Sequence, residues 1–352
     1  KKINSKNKIT ELDTKNAGTV FRFLTSVCSY YKGKWLLTGN KRMLQRPVAD
    51  LVKALELIGA KICYSNTFDF PPIIIDGGAI KANETYIDAS ISSQFVSSLM
   101  LIAPYIKGGL TINLSKKIVS APYINMTSEI MKYFDVNISF TNKKIIIPES
   151  KYVPKSFNVE NDWTSASYFF METAITGNTI ELNNLYPDSL QGDIVVCKIF
   201  ERLGIKSFFK NNILNIVKTS EPPEYFEYNF CDCPDIFLSV AVTCAALNIK
   251  ARLSGLDNLV YKECNRIQVF IDNIKNCGYD VINNDNSEII INNDKRRIIN
   301  HIPIIKTASD HRIAMSFAYL PKIIGKVIID KPSVVSKSFE KIRLLSFFVS
   351  LR

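Results

Sequence analysis

Residues 46–64 read Arg-Pro-Val-Ala-Asp-Leu-Val-Lys-Ala-Leu-Glu-Leu-Ile-Gly-Ala-Lys-Ile-Cys-Tyr, and the pattern of this stretch decides the fold. Val48, Leu51, Leu55 and Ile58 recur at helical spacing with polar residues opposite, which predicts an amphipathic helix with one buried face. Pro47 suits the first helical position, Gly59 suits the C-terminal cap, and residues 60–64 continue as a strand. The same grammar returns from Lys262. Ile267, Phe270, Ile274 and Cys277 share a face, Gly278 follows, and residues 279–281 form the strand. Residues 121–136, residues 190–207 and the stretch from Lys337 onward are looser copies.

Ahead of each amphipathic helix lies a more apolar one, opened by a short polar segment. The openings are Asn16-Ala17-Gly18-Thr19, Ile91-Ser92-Ser93-Gln94, Asp162-Trp163-Thr164-Ser165, Cys233-Pro234-Asp235 and Ser309-Asp310-His311-Arg312. Gly18, Ser92, Asp162, Asp235 and Asp310 stand 74, 70, 73 and 75 residues apart, so one supersecondary unit is copied along the chain. A helix that is apolar on most faces is buried. Each copy then reads as a βαβαββ unit whose buried helices pack together inside a ring of sheets, an α/β fold of α+β repeats. At 352 residues the length favours two domains. The polar stretch 148–161 sets the expected boundary, giving domains of residues 1–158 and 159–352. Five copies do not divide into two domains of three, and Lys1 falls partway into a unit. The expectation is that a first copy precedes it and that about five of six are present.

A hydrophobic content of 47% with 22% charged residues is ordinary for a globular protein. The longest apolar run, residues 95–106, is broken by serines and a proline and falls short of the ~20 residues a membrane span needs. No charged-then-apolar signal opens the chain, so no membrane partner is expected and the cytoplasm is the expected location. Cys28, Cys197, Cys244 and Cys277 lie on apolar helix faces, which reads as reduced core thiols. Cys231-x-Cys233 is the close pair, and nothing nearby completes a metal set. The net charge of +11 reflects a lysine-rich composition without a dense basic block, so no nucleic-acid partner is expected.

The helix openings carry the chemistry. Backbone N–H groups are free there and the helix dipole favours anions. Asp162 reads as a plain cap, whereas Ser92-Ser93-Gln94 offers more polar side chains than one cap requires. Arg22, Arg46, Arg266 and Arg312 cluster at these same ends, the arrangement expected of a converging site for planar anions.

These segments resemble one family, the EPSP synthases (3-phosphoshikimate 1-carboxyvinyltransferases). The matching stretches are Asn16-Ala17-Gly18-Thr19 with Arg22, Thr38-Gly39 with Arg42-Met43 and Arg46-Pro47, Ser92-Ser93-Gln94-Phe95, and Ser120-x-Pro122-Tyr123-Ile124. They continue with Gln191-Gly192-Asp193, Lys262-Glu263 with Arg266, Asp310-His311-Arg312-x-Ala314-Met315 and Ser336-Lys337-Ser338-Phe339, all in family order. The resemblance implies a two-domain enolpyruvyl transferase fold. It also implies transfer of the enolpyruvyl group of phosphoenolpyruvate to the 5-hydroxyl of shikimate 3-phosphate, with release of phosphate, no metal and no organic cofactor. The partners it implies are those two small molecules, and the protein is expected to be a monomer.

By motif match, Ser92, Ser93, Gln94 and Ser120 hold shikimate phosphate, with Gln94 also near the second substrate, and Asn258 and Lys262 assist. Gly18, Arg46, Arg266, Arg312 and Lys337 grip phosphoenolpyruvate. Asp235 accepts the hydroxyl proton and Glu263 is the proton donor or relay. His311 is read either as a site residue or as a hydrogen-bonded structural histidine, and His301 as a loop residue. Two departures stand out. Nothing here supplies the family's early Lys-Ser pair and nearby Arg, and Asn265 replaces a usual Asp, removing an expected charge partner of the basic residues. Competing readings are a non-catalytic or impaired remnant of the family, a UDP-N-acetylglucosamine enolpyruvyl transferase and an RNA 3′-phosphate cyclase-like protein. The Ser-Ser-Gln and Asp-His-Arg segments disfavour the second, and the lack of a catalytic His with nucleotide contacts disfavours the third.

Overall fold

The computed structural model describes residues 9–115, 118–141, 143–292 and 297–338, and the chain divides into two compact units, Lys1–Phe157 and Asn158–Arg352. In the first unit, β1 (Ile9–Asp13), α1 (Gly18–Tyr30), β2 (Gly33–Thr38), α2 (Ala49–Leu57), β3 (Lys61–Tyr64) and β4 (Ile73–Gly77) form one repeat. A second consists of β5 (Glu84–Ile87), α3 (Ser93–Ile102), β6 (Leu110–Leu114), α4 (Ala121–Tyr133), β7 (Ser139–Thr141) and β8 (Lys144–Ile147). The sheets run β1-β2-β4-β3 and β5-β6-β8-β7. In each, the first two strands are parallel across a crossover helix, and a hairpin returns its last strand to the middle. The apolar helices pack closely because small hydroxyl residues face each other. The Ser26 and Ser98 hydroxyls lie 2.5 Å apart between α1 and α3, and Ser97 and Thr127 2.8 Å apart between α3 and α4.

The second unit begins with α5 (Trp163–Thr176), β9 (Ile180–Leu182), α6 (Val196–Glu201), β10 (Ile205–Lys210) and β11 (Ile213–Lys218). Residues 148–161 form no strand, so this sheet has three strands in the order β10-β11-β9. The full pattern returns with β12 (Tyr225–Asn229), α7 (Phe237–Ala246), β13 (Lys250–Ser254), α8 (Arg266–Asn276), β14 (Asp280–Asn284) and β15 (Glu288–Asn292), ordered β12-β13-β15-β14. The last copy contributes β16 (Ile304–Ile305), α9 (His311–Ser316), α10 (Pro321–Ile324) and β17 (Ile328–Ile329), with β16 parallel to β17. Lys337 ends a 3-10 turn over Pro332–Lys337, and the rest of the looser copy expected there lies outside the described residues. A file of buried rings, Phe230, Phe237, Phe270 and Phe317, joins these copies with centroids 5.4 to 6.4 Å apart. Among the described residues no helix is long and apolar enough to cross a membrane.

The repeat grammar is met in the copies β1–β4, β5–β8 and β12–β15, while the third copy lacks its first strand, the last falls partly outside the described residues, and one helix boundary differs. Pro47 does not open α2, which starts at Ala49. Val48 sits at φ −133°, outside the helical region, and is the N-cap, with its N–H on the Asp69 carbonyl at 3.1 Å. Gly59 does close the helix, at φ +100°, with its N–H on the Glu56 carbonyl and that of Ala60 on the Leu55 carbonyl. Asp135 and Asn248 close α4 and α7 through the same pair of bonds at φ +66° and +57°, without a glycine.

Candidate active site

In the second unit the charged residues converge on one guanidinium. Arg266 opens α8 and is 1% exposed, and each of its three nitrogens meets a different carboxylate. Nε donates to Asp310 Oδ2 at 2.7 Å, Nη1 to Asp235 Oδ1 at 2.6 Å and Nη2 to Glu263 Oε2 at 2.7 Å. Further cations close the set. Lys262 Nζ lies 3.3 Å from Asp235 Oδ1, Arg312 Nη2 lies 3.4 Å from Asp235 Oδ2, and Lys337 Nζ donates to Glu263 Oε1 at 2.9 Å. Among the described residues, Lys262, Arg266, Arg312 and Lys337 thus interlock with Asp235, Glu263 and Asp310.

Local structure explains this convergence. Asp235 sits in the 3-10 turn Pro234–Ile236 that leads into α7, and Glu263 and Arg266 flank the start of α8. Asp310 caps α9 by accepting the Arg312 N–H at 2.9 Å on one oxygen while holding Arg266 on the other. Asn265 caps α8 by accepting the Gln268 N–H at 3.2 Å. An Asn does that as well as an Asp. Asn265 itself brings no charge, and Asp310, Asp235 and Glu263 supply the carboxylates around Arg266.

Burial opposes ionisation of Asp235, but Arg312, Lys262 and Arg266 outweigh it and hold the carboxyl well below the usual carboxylate range. Burial also lowers the Lys262 pKa, against the pull of Asp235. Asp193, buried and accepting the Thr164 hydroxyl, is pushed up to about 6 by burial and then by the charge of Asp235. His311 is buried, its Nδ1 has no hydrogen-bond partner and lies 3.6 Å from Asp310 Oδ1, and burial followed by Arg312 lowers its pKa to about 4. His301 is exposed and meets Asn276 Oδ1 at 2.9 Å.

The two shifts carry opposite linkage. Between about 4 and the ordinary 6.5 the unfolded chain binds the His311 proton and the folded one does not, so this contribution is lost as pH falls through that window. Between the ordinary 3.8 and about 6 the folded state binds the Asp193 proton, so that contribution is lost as pH rises. His311→Gln is therefore expected to gain about 2 kcal/mol relative to the unsubstituted protein as pH drops from about 6.5 to 4.5. Urea unfolding across that range measures it, and a difference between the two proteins that does not change with pH would remove His311 as its source.

In the first unit the openings of α1 and α3 meet. Ser92 caps α3, and its hydroxyl accepts from the Gln94 N–H at 3.3 Å and from Arg22 Nη1 at 3.2 Å. Gln94 Oε1 accepts from Arg22 Nη1 at 2.6 Å, and Nε2 donates to Thr19 Oγ1 at 2.8 Å. Gly18 begins α1 against Arg46, since a Cβ built on it would stand 2.6 Å from Arg46 Nη1. Ser93 is buried beside this network, and Ser120 is a left-handed residue (φ +55°) ahead of α4 whose hydroxyl makes no capping bond. Asn258, in the 3-10 turn Asp257–Tyr261 of the second unit, has a buried Oδ1 without a hydrogen-bond partner. Asp162 is the plain cap expected of it, accepting from Thr164 and Ser165.

Arg22, read as one of the arginines at the helix ends, and Asp310, read as part of a helix opening, each organise their unit's cluster through partners distant in sequence: the bond from Arg266 to Asp310 spans 44 residues and that from Arg22 to Gln94 spans 72. Among the described residues no group of three or more His, Cys, Asp or Glu is placed to hold a metal ion.

Residues 1–344 match the family model for EPSP synthase (3-phosphoshikimate 1-carboxyvinyltransferase). The 3-phosphoshikimate 1-carboxyvinyltransferase of Bacteroides fragilis strain YCH46 is 38% identical over 331 residues, covering 93% of this chain and 80% of the relative. That of Buchnera aphidicola subsp. Cinara cedri is 36% identical over 342 residues, covering 95% and 76%. The solved EPSP synthase of Acinetobacter baumannii shares the fold with a TM-score of 0.69 at 24% identity, covering 96% of this chain and 78% of that one.

Proposed function

This chain belongs to the EPSP synthase family, and from that premise we propose that the cluster around Arg266 is the centre at which it transfers an enolpyruvyl group. The reaction joins shikimate 3-phosphate and phosphoenolpyruvate. The 5-hydroxyl oxygen bonds to C2 of phosphoenolpyruvate, C3 takes a proton, and the hydroxyl proton passes to a base. The tetrahedral intermediate then loses a proton from C3 and the C2–O bond to phosphate breaks, restoring the double bond and releasing phosphate.

In this reading Asp235 is the base and Glu263 relays protons at C3. A carboxylate held as low as Asp235 is always ionised but weakly basic. Anionic substrate groups arriving at Arg312, Lys262 and Arg266 weaken their pull on Asp235 and raise its basicity where the hydroxyl proton must go. Glu263, tied to Arg266 and Lys337, is held in one orientation for C3. Arg266, Arg312 and Lys337, with Gly18 and Arg46 of the first unit, are the proposed phosphoenolpyruvate ligands. Ser92, Ser93, Gln94 and Ser120 of the first unit, with Asn258 and Lys262 of the second, are those proposed for shikimate 3-phosphate. The observation that carries the reading is the buried Arg266 guanidinium with its three carboxylates, beside which Lys262, Arg312 and Lys337 also lie. The full-length protein given both substrates is expected to release phosphate. Absence of release with both saturating would overturn the assignment.

Gly18→Ala offers a sharper check. The added methyl would force the Arg46 guanidinium aside, and the KM for phosphoenolpyruvate is expected to rise about tenfold or more, with a much smaller change for shikimate 3-phosphate. Equal KM values for phosphoenolpyruvate in the two proteins would separate Arg46 from that substrate. The protein is further proposed to act as a cytoplasmic monomer; its eight cysteines are free thiols, as a reducing compartment maintains. Sedimentation of the purified protein tests the monomer.

A further inference from the structure

Residues 306–310 link β16 to α9 and deliver Asp310 and Arg312 to the site. Ala308 (φ +49°) and Ser309 (φ +60°) are both left-handed, a conformation that alanine and serine adopt less readily than the Asn and Asp residues holding it elsewhere in the chain. Two side chains grip the link just before them. Asn273, buried on α8, donates from Nδ2 to the Lys306 carbonyl at 3.0 Å and accepts the Lys306 N–H on Oδ1 at 2.8 Å. Asp330, directly after β17, accepts both the N–H of buried Thr307, at 2.9 Å, and its hydroxyl, at 2.8 Å, on the single oxygen Oδ1. The Asp330 N–H donates in turn to the Ile305 carbonyl at 3.0 Å. Asp330 also stands two residues ahead of the turn Pro332–Lys337 that carries Lys337.

We propose that Asp330 is a positioning residue for phosphoenolpyruvate: by clamping Thr307 it fixes the left-handed turn that aims Arg312, and it ties that turn to the segment bearing Lys337. Two cations from separate segments then keep one mutual geometry, which a ligand with a phosphate and a carboxylate requires. The inference rests on the reading of Arg312 and Lys337 as phosphoenolpyruvate ligands.

The test is steady-state kinetics on the full-length protein. Asp330→Ala is expected to raise the KM for phosphoenolpyruvate about tenfold or more while that for shikimate 3-phosphate stays within about twofold. Asp330→Asn retains an oxygen that can accept both bonds and is expected within about threefold of the unsubstituted protein. A KM for phosphoenolpyruvate in Asp330→Ala that stays within about twofold of the original overturns the inference, as does an Asn variant as impaired as the Ala one. Should Asp330→Ala not fold, Thr307→Val removes the hydroxyl bond alone, and an unchanged KM there overturns it equally. Arg312→Gln separates the two layers. If it leaves the KM for phosphoenolpyruvate unchanged, the ligand reading fails; if it raises that KM while Asp330→Ala does not, the clamp alone falls.

Discussion

Asp235→Asn is expected to lower turnover by about 10²- to 10⁴-fold while both KM values stay within a few-fold of the original. The asparagine keeps an oxygen for Arg266 Nη1, which Asp235 meets at 2.6 Å, so the cluster has reason to hold its shape. What it lacks is a lone pair basic enough to take the hydroxyl proton. Both variants remove the negative charge beside Lys262, Arg266 and Arg312, but Asp235→Ala also removes the oxygen that meets Arg266, so its loss combines base removal with loss of that contact. Phosphate release and substrate binding, measured separately on both variants, tell the two apart. An original turnover number in Asp235→Asn would take Asp235 out of the mechanism.

Asp310→Ala is expected to cost about 3–5 kcal/mol of stability. Asp310 is 0% exposed and Arg266 1%, so the substitution leaves the Nε side of a buried guanidinium without its anion and α9 without its cap. Asp310→Asn retains an oxygen for the cap and is expected to lose less. Urea unfolding gives both numbers. A loss under about 1 kcal/mol for the alanine variant would mean that Arg266 draws its stabilisation from Asp235 and Glu263 alone.

Much of the candidate cluster was legible because its polar and charged residues sit at helix openings, where cap chemistry and helical period are written in a few contiguous residues. Asp162 was readable as a cap for that reason and serves as one, while Ser92, read as more than a cap, also caps α3. Arg266 was legible as a charged residue at a helix opening but not as a group almost wholly enclosed by carboxylates from three segments. Its partners Asp235 and Asp310 lie 31 and 44 residues away in sequence. Asn265, read only as a missing charge, also caps α8 through the Gln268 N–H.

The amino-acid sequence by itself determined the repeat, its helices and strands, and the set of polar residues at the helix openings, since period and capping are properties of neighbouring residues. Tertiary structure gives the N-cap of α2 its partner, the Asp69 carbonyl that takes the Val48 N–H. It also decided that Asp135 and Asn248 turn left-handed without a glycine, that the Arg46 guanidinium lies against Gly18, and that the Asp310 N–H and the Asp330 carboxylate both engage Thr307 before Arg312. Each of these depends on groups that only folding brings within hydrogen-bond or van der Waals reach, where burial makes the charge of every partner count.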